Sequence, residues 1–304
     1  MFRWPGSLPT TSFKLDRPTT RTLHQRQNHI DLHSHSTASD GTLTPSEVVR
    51  LARSRGLRVI ALTDHDTVGG VVEAQTAAAE MEIEVIAGVE INAEGDGASL
   101  HMLGFYVDPH SSPLVEKLQA MRNARLGRAF KMVELLGEMG MPLAWEEVRA
   151  LAGGESVGRP HVARALLNRG YVATVKEAFE HFIGPGCPAH VPRLRLSPAE
   201  TIQVIIEAGG VPVLAHPAHS GPSVVERISE FVDCGLRGLE VYYPRHSRDD
   251  IEMLLGLCRE HGLIATGGTD FHGPDSEEGV PLGSIYVPVE CVGRLRAAAK
   301  SVAS

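Results

Sequence analysis

The sequence predicts an α/β fold in which parallel strands form the centre and helices pack outside. Three observations carry this. Short apolar runs alternate with segments of helical spacing, histidines and carboxylates recur just after the apolar runs, and one long stretch breaks the alternation. The pattern begins at His29-Ile30-Asp31-Leu32-His33, a short strand. Residues 45–55 follow a proline start, place apolar residues at helical spacing and stop at Gly56, which predicts a helix. Residues 57–62 read as a buried strand ending at Thr63-Asp64-His65-Asp66, residues 69–81 as a helix, and residues 83–88 as a strand ending at Val89-Glu90. Residues 100–106 give another strand. After a break come a helix over 198–209, a strand over 211–215 ending at His216, and a helix over 223–234. A strand over 237–243, a helix over 247–261 and a strand over 263–267 ending near Asp270 complete the series. Polar groups repeated at the C-terminal ends of parallel strands mark the face where α/β proteins build their sites.

Residues 114–196 interrupt this rhythm with amphipathic stretches, notably 114–139 and 160–169, and no convincing strand. They are expected to form a helical insertion over the mouth of the barrel. The domain expectation is therefore a barrel made of residues 29–113 and 197–304, a substrate cap of residues 114–196, and a flexible extension over residues 1–28. That extension is rich in arginine and threonine, contains Pro5, Pro9 and Pro18, and lacks the apolar core of a secretory signal.

Composition narrows the function. The 304 residues carry a net charge of −8, which disfavours broad binding to long duplex nucleic acid. It leaves room for a small phosphorylated substrate, because bound cations can supply positive charge locally. Cys187, Cys234, Cys258 and Cys291 are scattered without a CxxC pair, as expected of reduced thiols in a cytoplasmic protein. No apolar run approaches the roughly 18 residues needed to span a bilayer. Basic residues are mostly arginine, and the 15 histidines stand out.

His33 and His35 lie two apart in an extended segment, so both imidazoles point to one side and can share a metal. Asp40 follows in a turn context. His65 and Glu90 close apolar runs where charged groups have no packing role, and His216, Asp270 and His272 stand at later run ends. His101 lies inside a strand, where a lone histidine is more often a satisfied core residue. Taken together, groups of histidines and carboxylates at successive strand ends point to a divalent metal cluster. No Walker loop, dinucleotide fingerprint or nucleophile elbow competes with it.

The motifs DLHSHSTASDGTLTP, ALTDHDT, GVEIN, HMLGF, LAHP and GTDFH resemble those of the polymerase-and-histidinol-phosphatase (PHP) family. The resemblance spans residues 29–290 and is nearest to the branch of small bacterial nucleoside bisphosphate phosphatases and 5′–3′ exoribonucleases acting on short RNA. It implies a distorted seven-stranded (β/α) barrel with a helical insertion over its C-terminal face, holding two or three divalent ions of manganese, iron or zinc. Carried over by motif, the implied ligands are His33, His35, Asp40, His65, Glu90, His101, His216, Asp270 and His272. The resemblance further implies that Glu90 bridges two metals, with His33, His35 and Asp270 at one site. Asp40, His65 and His272 would serve a second site, and His101 with His216 a third.

Around this core, Asp31, Asp64 and Asp66 read equally as supports of ligand imidazoles or as turn residues. Arg159 and His161, at a helix start within the insertion, are expected to bind substrate phosphate, a role the resembled branch also gives to an arginine and a histidine there. Arg122, Arg125 and Arg128 form a basic stripe read chiefly as a solvated face, and His190 reads as structural. His246, after the strand over 237–243, is a candidate catalytic acid or phosphate binder. The function this implies is metal-dependent hydrolysis of a nucleoside 3′,5′-bisphosphate or of a short 5′-phosphorylated oligonucleotide, with a metal-activated hydroxide attacking phosphorus. Three alternatives stay open: a histidinol-phosphatase-like phosphomonoesterase, a metal-dependent amidohydrolase, and a non-catalytic metal-binding regulatory module. No lysine stands at a strand end to be carboxylated, which counts against the amidohydrolase.

Overall fold

A computed structural model describes residues 29–302 apart from 96–97, 153–156, 193–195, 275 and 277–278, so the expected extension over 1–28 lies outside the described residues. Seven strands form one sheet in chain order: β1 (Ile30–Asp31), β2 (Val59–Leu62), β3 (Glu84–Gly95), β4 (Ala98–Phe105), β5 (Val211–Leu214), β6 (Gly238–Tyr242) and β7 (Ile264–Gly267). The sheet curls until the chain beyond β1 meets the chain beyond β7. Leu32 N–H donates to the Gly267 carbonyl at 3.2 Å and His35 N–H to the Phe271 carbonyl at 2.8 Å. Those contacts draw the sheet into a barrel. Gly268 permits the approach, since a Cβ there would fall 2.4 Å from the backbone nitrogen of His33.

The expectation of parallel strands throughout needs correcting at β4, which runs antiparallel to both β3 and β5. The reason is connection length. β3 extends to Gly95 and pairs there with Ala98, leaving room only for a hairpin, whereas a parallel crossover needs a dozen or more residues. Glu90 therefore stands within β3 rather than at its end.

Helices over Pro45–Ser54, Val71–Ala79, Pro198–Glu207, Arg248–His261 and Glu290–Val302 pack around the sheet. Several start as their sequences predict. Thr44, Ser197 and Ser247 each cap the backbone three residues on, and Glu47, Glu200 and Asp250 reciprocate. The helix expected over 223–234 is instead two short pieces, Pro222–Val225 and Ile228–Asp233.

The interrupting stretch is helical, with Ser112–Glu138, Trp145–Ala152, Arg159–Asn168 and Val175–Ala178, then a π-turn at Phe179–Ile183. It has its own apolar cluster, including Met132, Leu136, Val148, Val162, Leu166 and Ile183. The 27-residue helix Ser112–Glu138 belongs to both halves. Its first turns bury Leu114, Leu118 and Met121 in the barrel's cluster, and its later turns bury Ala129, Met132 and Leu136 in the second. Among the described residues, no helix is long and apolar enough to cross a membrane.

Candidate metal centre

Period-two geometry brings His33 and His35 to one side of the strand end. Both are fully buried, and the Nε2 of each stands 3.1 Å from Asp270 Oδ1. The β3–β4 hairpin supplies the next pair. Its register sets Asn92 opposite His101 and Glu90 opposite Leu103, so all four share one face and His101 Nδ1 lies 2.8 Å from Glu90 Oε1. His65 follows β2 and places Nδ1 3.0 Å from Glu90 Oε2. His216 follows β5 and approaches Glu90 Oε1 at 3.3 Å. Asp40, on the turn after His35, lies 3.5–3.7 Å from His35, His65 and His272. All nine residues singled out by motif thus meet in one cluster.

Glu90 is its hub. Five imidazoles, those of His33, His35, His65, His101 and His216, lie within 3.3 Å of its oxygens. Burial alone would raise the carboxyl of Glu90, but the imidazoles of His65, His101 and His33 outweigh it and hold the group well below its ordinary range. Asp270 is held down in the same way, chiefly by His33 against the effect of burial. Burial, in turn, lowers His101 and keeps that ring neutral, the state a metal ligand needs.

The donor atoms fit a cation better than they fit one another. The Nε2 of His33, Nδ1 of His35, Oε2 of Glu90 and Nδ1 of His216 are buried and make no hydrogen bond among the described residues. A buried polar atom without a partner is costly, and convergent lone pairs of imidazole and carboxylate are what divalent ions satisfy. Three sets of groups can each converge on one ion: His33 with His35, Glu90 and Asp270; His35 with Asp40, His65 and His272; His65 with Glu90 and His101. The first two sets resemble the expected partition, with His35 shared. The third differs, drawing on His65, while His216 joins none of the three.

Backbone strain concentrates here. His216, Asp270 and Asp66 adopt left-handed φ of 29°, 54° and 53°, unusual for residues with a Cβ and characteristic of functional sites.

The flanking aspartates bind backbone amides, hydroxyls and a guanidinium. Asp64 accepts from Ser36 N–H and from the hydroxyls of Ser36 and Ser39, fixing the turn that carries Asp40. Asp31 accepts from Thr269 and Gly283 N–H, tying β1 to the segment that carries Asp270. Asp66 receives Asn92 N–H and the guanidinium of Arg125.

A cleft of about 640 Å³ lies between cluster and insertion, lined by Asp40, His65 and Asn92 on one side and Arg125, Arg128, Arg159 and His161 on the other. The basic stripe is therefore not a solvated face. Arg125 and Arg128 look into this cleft, and Arg122 lines a neighbouring one. The guanidinium of Arg159 sits 5.6 Å from the centre of the Phe179 ring. Gly158 N–H donates to His161 Nδ1 at 3.0 Å, which leaves Nε2 as the protonated nitrogen. His190, half-buried, is held below its ordinary value by burial, with the charges of Arg128 and Arg159 adding to the effect.

His246 is not brought to this cleft. It is buried behind Tyr243, and its Nδ1 donates to the Val241 carbonyl at 2.9 Å. Two residues near the cluster were missed in the sequence. The fully buried carboxylate of Glu240 accepts from His33 Nδ1 at 2.9 Å, and Tyr243 donates its hydroxyl to Asp270 Oδ2 at 3.1 Å. The signal for Glu240 was a carboxylate inside the apolar run Gly238–Tyr242.

A model of the PHP domain matches residues 31–196. Among curated proteins, a 5′–3′ exoribonuclease of Haemophilus influenzae is 38% identical, the alignment covering 80% of this chain and 90% of the relative. A 3′,5′-nucleoside bisphosphate phosphatase of Chromobacterium violaceum is 37% identical over 81% of this chain and 88% of its own length. A solved structure from Bifidobacterium adolescentis, described as a metal-dependent phosphoesterase, superposes with a TM-score of 0.75 at 33% identity, covering 90% of this chain and 97% of its own.

Proposed function

The chain belongs to the PHP family of metal-dependent phosphoesterases, and from that premise we propose that it hydrolyses small nucleotides carrying a second phosphate: nucleoside 3′,5′-bisphosphates, short 5′-phosphorylated oligonucleotides, or both. One observation supports the substrate class above the rest. The cleft sets the carboxylate-histidine cluster against a wall of three arginines and His161, so with cations bound in the cluster a ligand carrying negative charge at two separate places is matched at both ends.

His33, His35, Asp40, His65, Glu90, His101, Asp270 and His272 would hold the cations, with His216 adjoining through Glu90. Divalent ions bound there supply Lewis-acid charge for the phosphoryl oxygens and lower the pKa of water. The remaining work falls to the chain itself. Arg159 offers a planar fork for a phosphate, and His161 presents an Nε2–H donor on the same wall. Arg125 and Arg128 complete that wall, with Arg125 also paired to Asp66. The residues 114–196 act as a substrate cap that holds the far phosphate. His246 is not among the residues lining the cleft and donates its Nδ1–H to the Val241 carbonyl, so no direct contact with the leaving group is assigned to it.

Histidinol phosphate fits this cleft poorly, since it carries one phosphate and an ammonium that the arginine wall would repel. The test uses chelator-treated protein resupplied with manganese, assayed on a nucleoside 3′,5′-bisphosphate, a short 5′-phosphorylated RNA and histidinol phosphate. The first two should turn over at least 100-fold faster, as judged by kcat/KM, than the third, an on-the-order-of-3-kcal/mol preference at ~1.4 kcal/mol per decade. Preference for histidinol phosphate would overturn the substrate class, and full activity without metal would overturn the chemistry.

A further inference from the structure

We infer that Glu240 is a positioning residue of the metal centre: its buried carboxylate sets the proton of the His33 ring and the backbone of His216 in one stroke. The inference rests on the metal-centre reading above. Glu240 is fully buried in β6, a strand that contributes none of the nine clustered side chains. Its Oε1 lies 2.9 Å from His33 Nδ1, and its Oε2 accepts the backbone N–H of His216 at 2.9 Å.

A carboxylate facing two donors can only accept, so the His33 proton must sit on Nδ1. The lone pair then falls on Nε2, the atom that faces Glu90 Oε2 at 3.3 Å and Asp270 Oδ1 at 3.1 Å. Reversing this tautomer would point an N–H at the place where a cation must bind. The second bond acts on main chain. His216 holds a φ of 29°, a conformation costly for a residue with a Cβ, and the Glu240 bond ties its amide in place.

β6 reaches the cluster twice because its pleat is interrupted. Strict alternation from Glu240 would turn residue 243 away, but the pairing with β7 slips between Glu240 and Tyr242. Tyr243 then also faces inward and donates to Asp270. β6 thus supports His33 and His216 through Glu240, and the residue just after it supports Asp270.

Carboxylates behind metal-bound imidazoles typically change metal affinity by roughly 10–100-fold when removed. The experiment titrates manganese(II) into chelator-treated wild type and Glu240→Gln, following the free ion by its electron paramagnetic resonance signal, with 15N chemical shifts of the histidine rings and the His216 amide recorded in the metal-free proteins. Glutamine keeps the volume but cannot accept at both positions, so one of the two bonds is lost. The variant should bind at least one ion roughly 10–100-fold more weakly and shift the 15N signature of the His33 ring or of the His216 amide, whichever bond the glutamine gives up, while remaining folded by near-ultraviolet circular dichroism. Its kcat should recover as manganese is raised, with KM for the nucleotide unchanged. Wild-type manganese affinity in Glu240→Gln would overturn the inference. Should Glu240→Gln not fold, Glu240→Asp, which keeps the charge but falls short of His33 by one methylene, must show the same weakening. A wild type that binds no manganese would overturn this inference and the metal centre together, whereas equal binding by wild type and variant would overturn this inference alone.

Discussion

The carboxylate of Asp66 joins the guanidinium of Arg125, so the long helix of the insertion is ion-paired to the turn that carries His65. Asp66 is about 1% exposed and Arg125 about 19%. The pair therefore sits at the seam between cap and cluster, shielded from most solvent screening.

Removing the guanidinium takes a charge-assisted bond from a buried carboxylate that Asn92 also contacts. Arg125→Met should destabilise the protein by roughly 2–3 kcal/mol in urea unfolding, somewhat less than a wholly buried pair because the guanidinium keeps some solvent. The double variant Asp66→Asn/Arg125→Met should recover most of that loss. Additive losses in the double variant would show that the pair does not couple the two parts.

The metal-free protein should have a pH dependence that metal reverses. Burial disfavours a charged His35, but Asp270 and Glu90 prevail and push it up from an ordinary 6.5 to about 9. A raised folded-state value stabilises fully below pH 6.5, and that stability is lost as pH rises through 9. Glu90 and Asp270, held low, contribute above the ordinary carboxylate range and lose their contribution in acid. Chelated protein should thus melt highest between about pH 5 and 6.5 and lose several degrees by about pH 9. Manganese-loaded protein should instead gain stability over that interval, because metal competes with protons for the imidazoles. A flat melting profile for chelated protein would contradict this.

Arg159→Ala should raise KM for a nucleoside 3′,5′-bisphosphate roughly 10–100-fold, the worth of a charge-assisted hydrogen-bonded pair, with little change in manganese binding. Arg159→Lys should restore only part of it, since an ammonium cannot reproduce the planar fork. Unaltered KM in both variants would remove Arg159 from the phosphate site.

The four thiols should separate by reactivity. Burial pushes Cys258 up to about 11 and Cys291 up to about 12, while Cys234 is exposed and Cys187 half-buried. A thiolate reagent at pH 8 should label Cys234, and Cys187 more slowly, with Cys258 and Cys291 modified only on unfolding. Rapid labelling of Cys291 in native protein would contradict the packing of the Glu290–Val302 helix.

Much of the site was legible because its chemistry lies in motifs a few residues long. His33 and His35 share a face through the two-residue period of extended chain, and His65, His216 and Asp270 follow apolar strands as their sequence context implies. Less visible was anything depending on partners distant in sequence. Glu240 lies 207 residues from His33, and although a carboxylate inside an apolar strand marks it as unusual, the strand does not say which imidazole it meets. The basic stripe at Arg125 and Arg128 could be read as a helix face, but not as a cleft wall, because the helix spacing does not say what lies opposite. His246 misled for the converse reason: it follows a strand end, yet the chain turns its ring toward Val241.

Local periodicity and short motifs act within a few residues, and they made most helices and strands and the nine donors legible in the sequence. Only the tertiary structure decided that β4 runs antiparallel, placing His101 beside Glu90, and that five imidazoles converge on that one carboxylate. The same holds for the cap, whose arginines gain a role only when the Ser112–Glu138 helix spans both apolar clusters. Closing the barrel brings residues more than 200 positions apart into contact, and a buried charge takes its meaning from those neighbours.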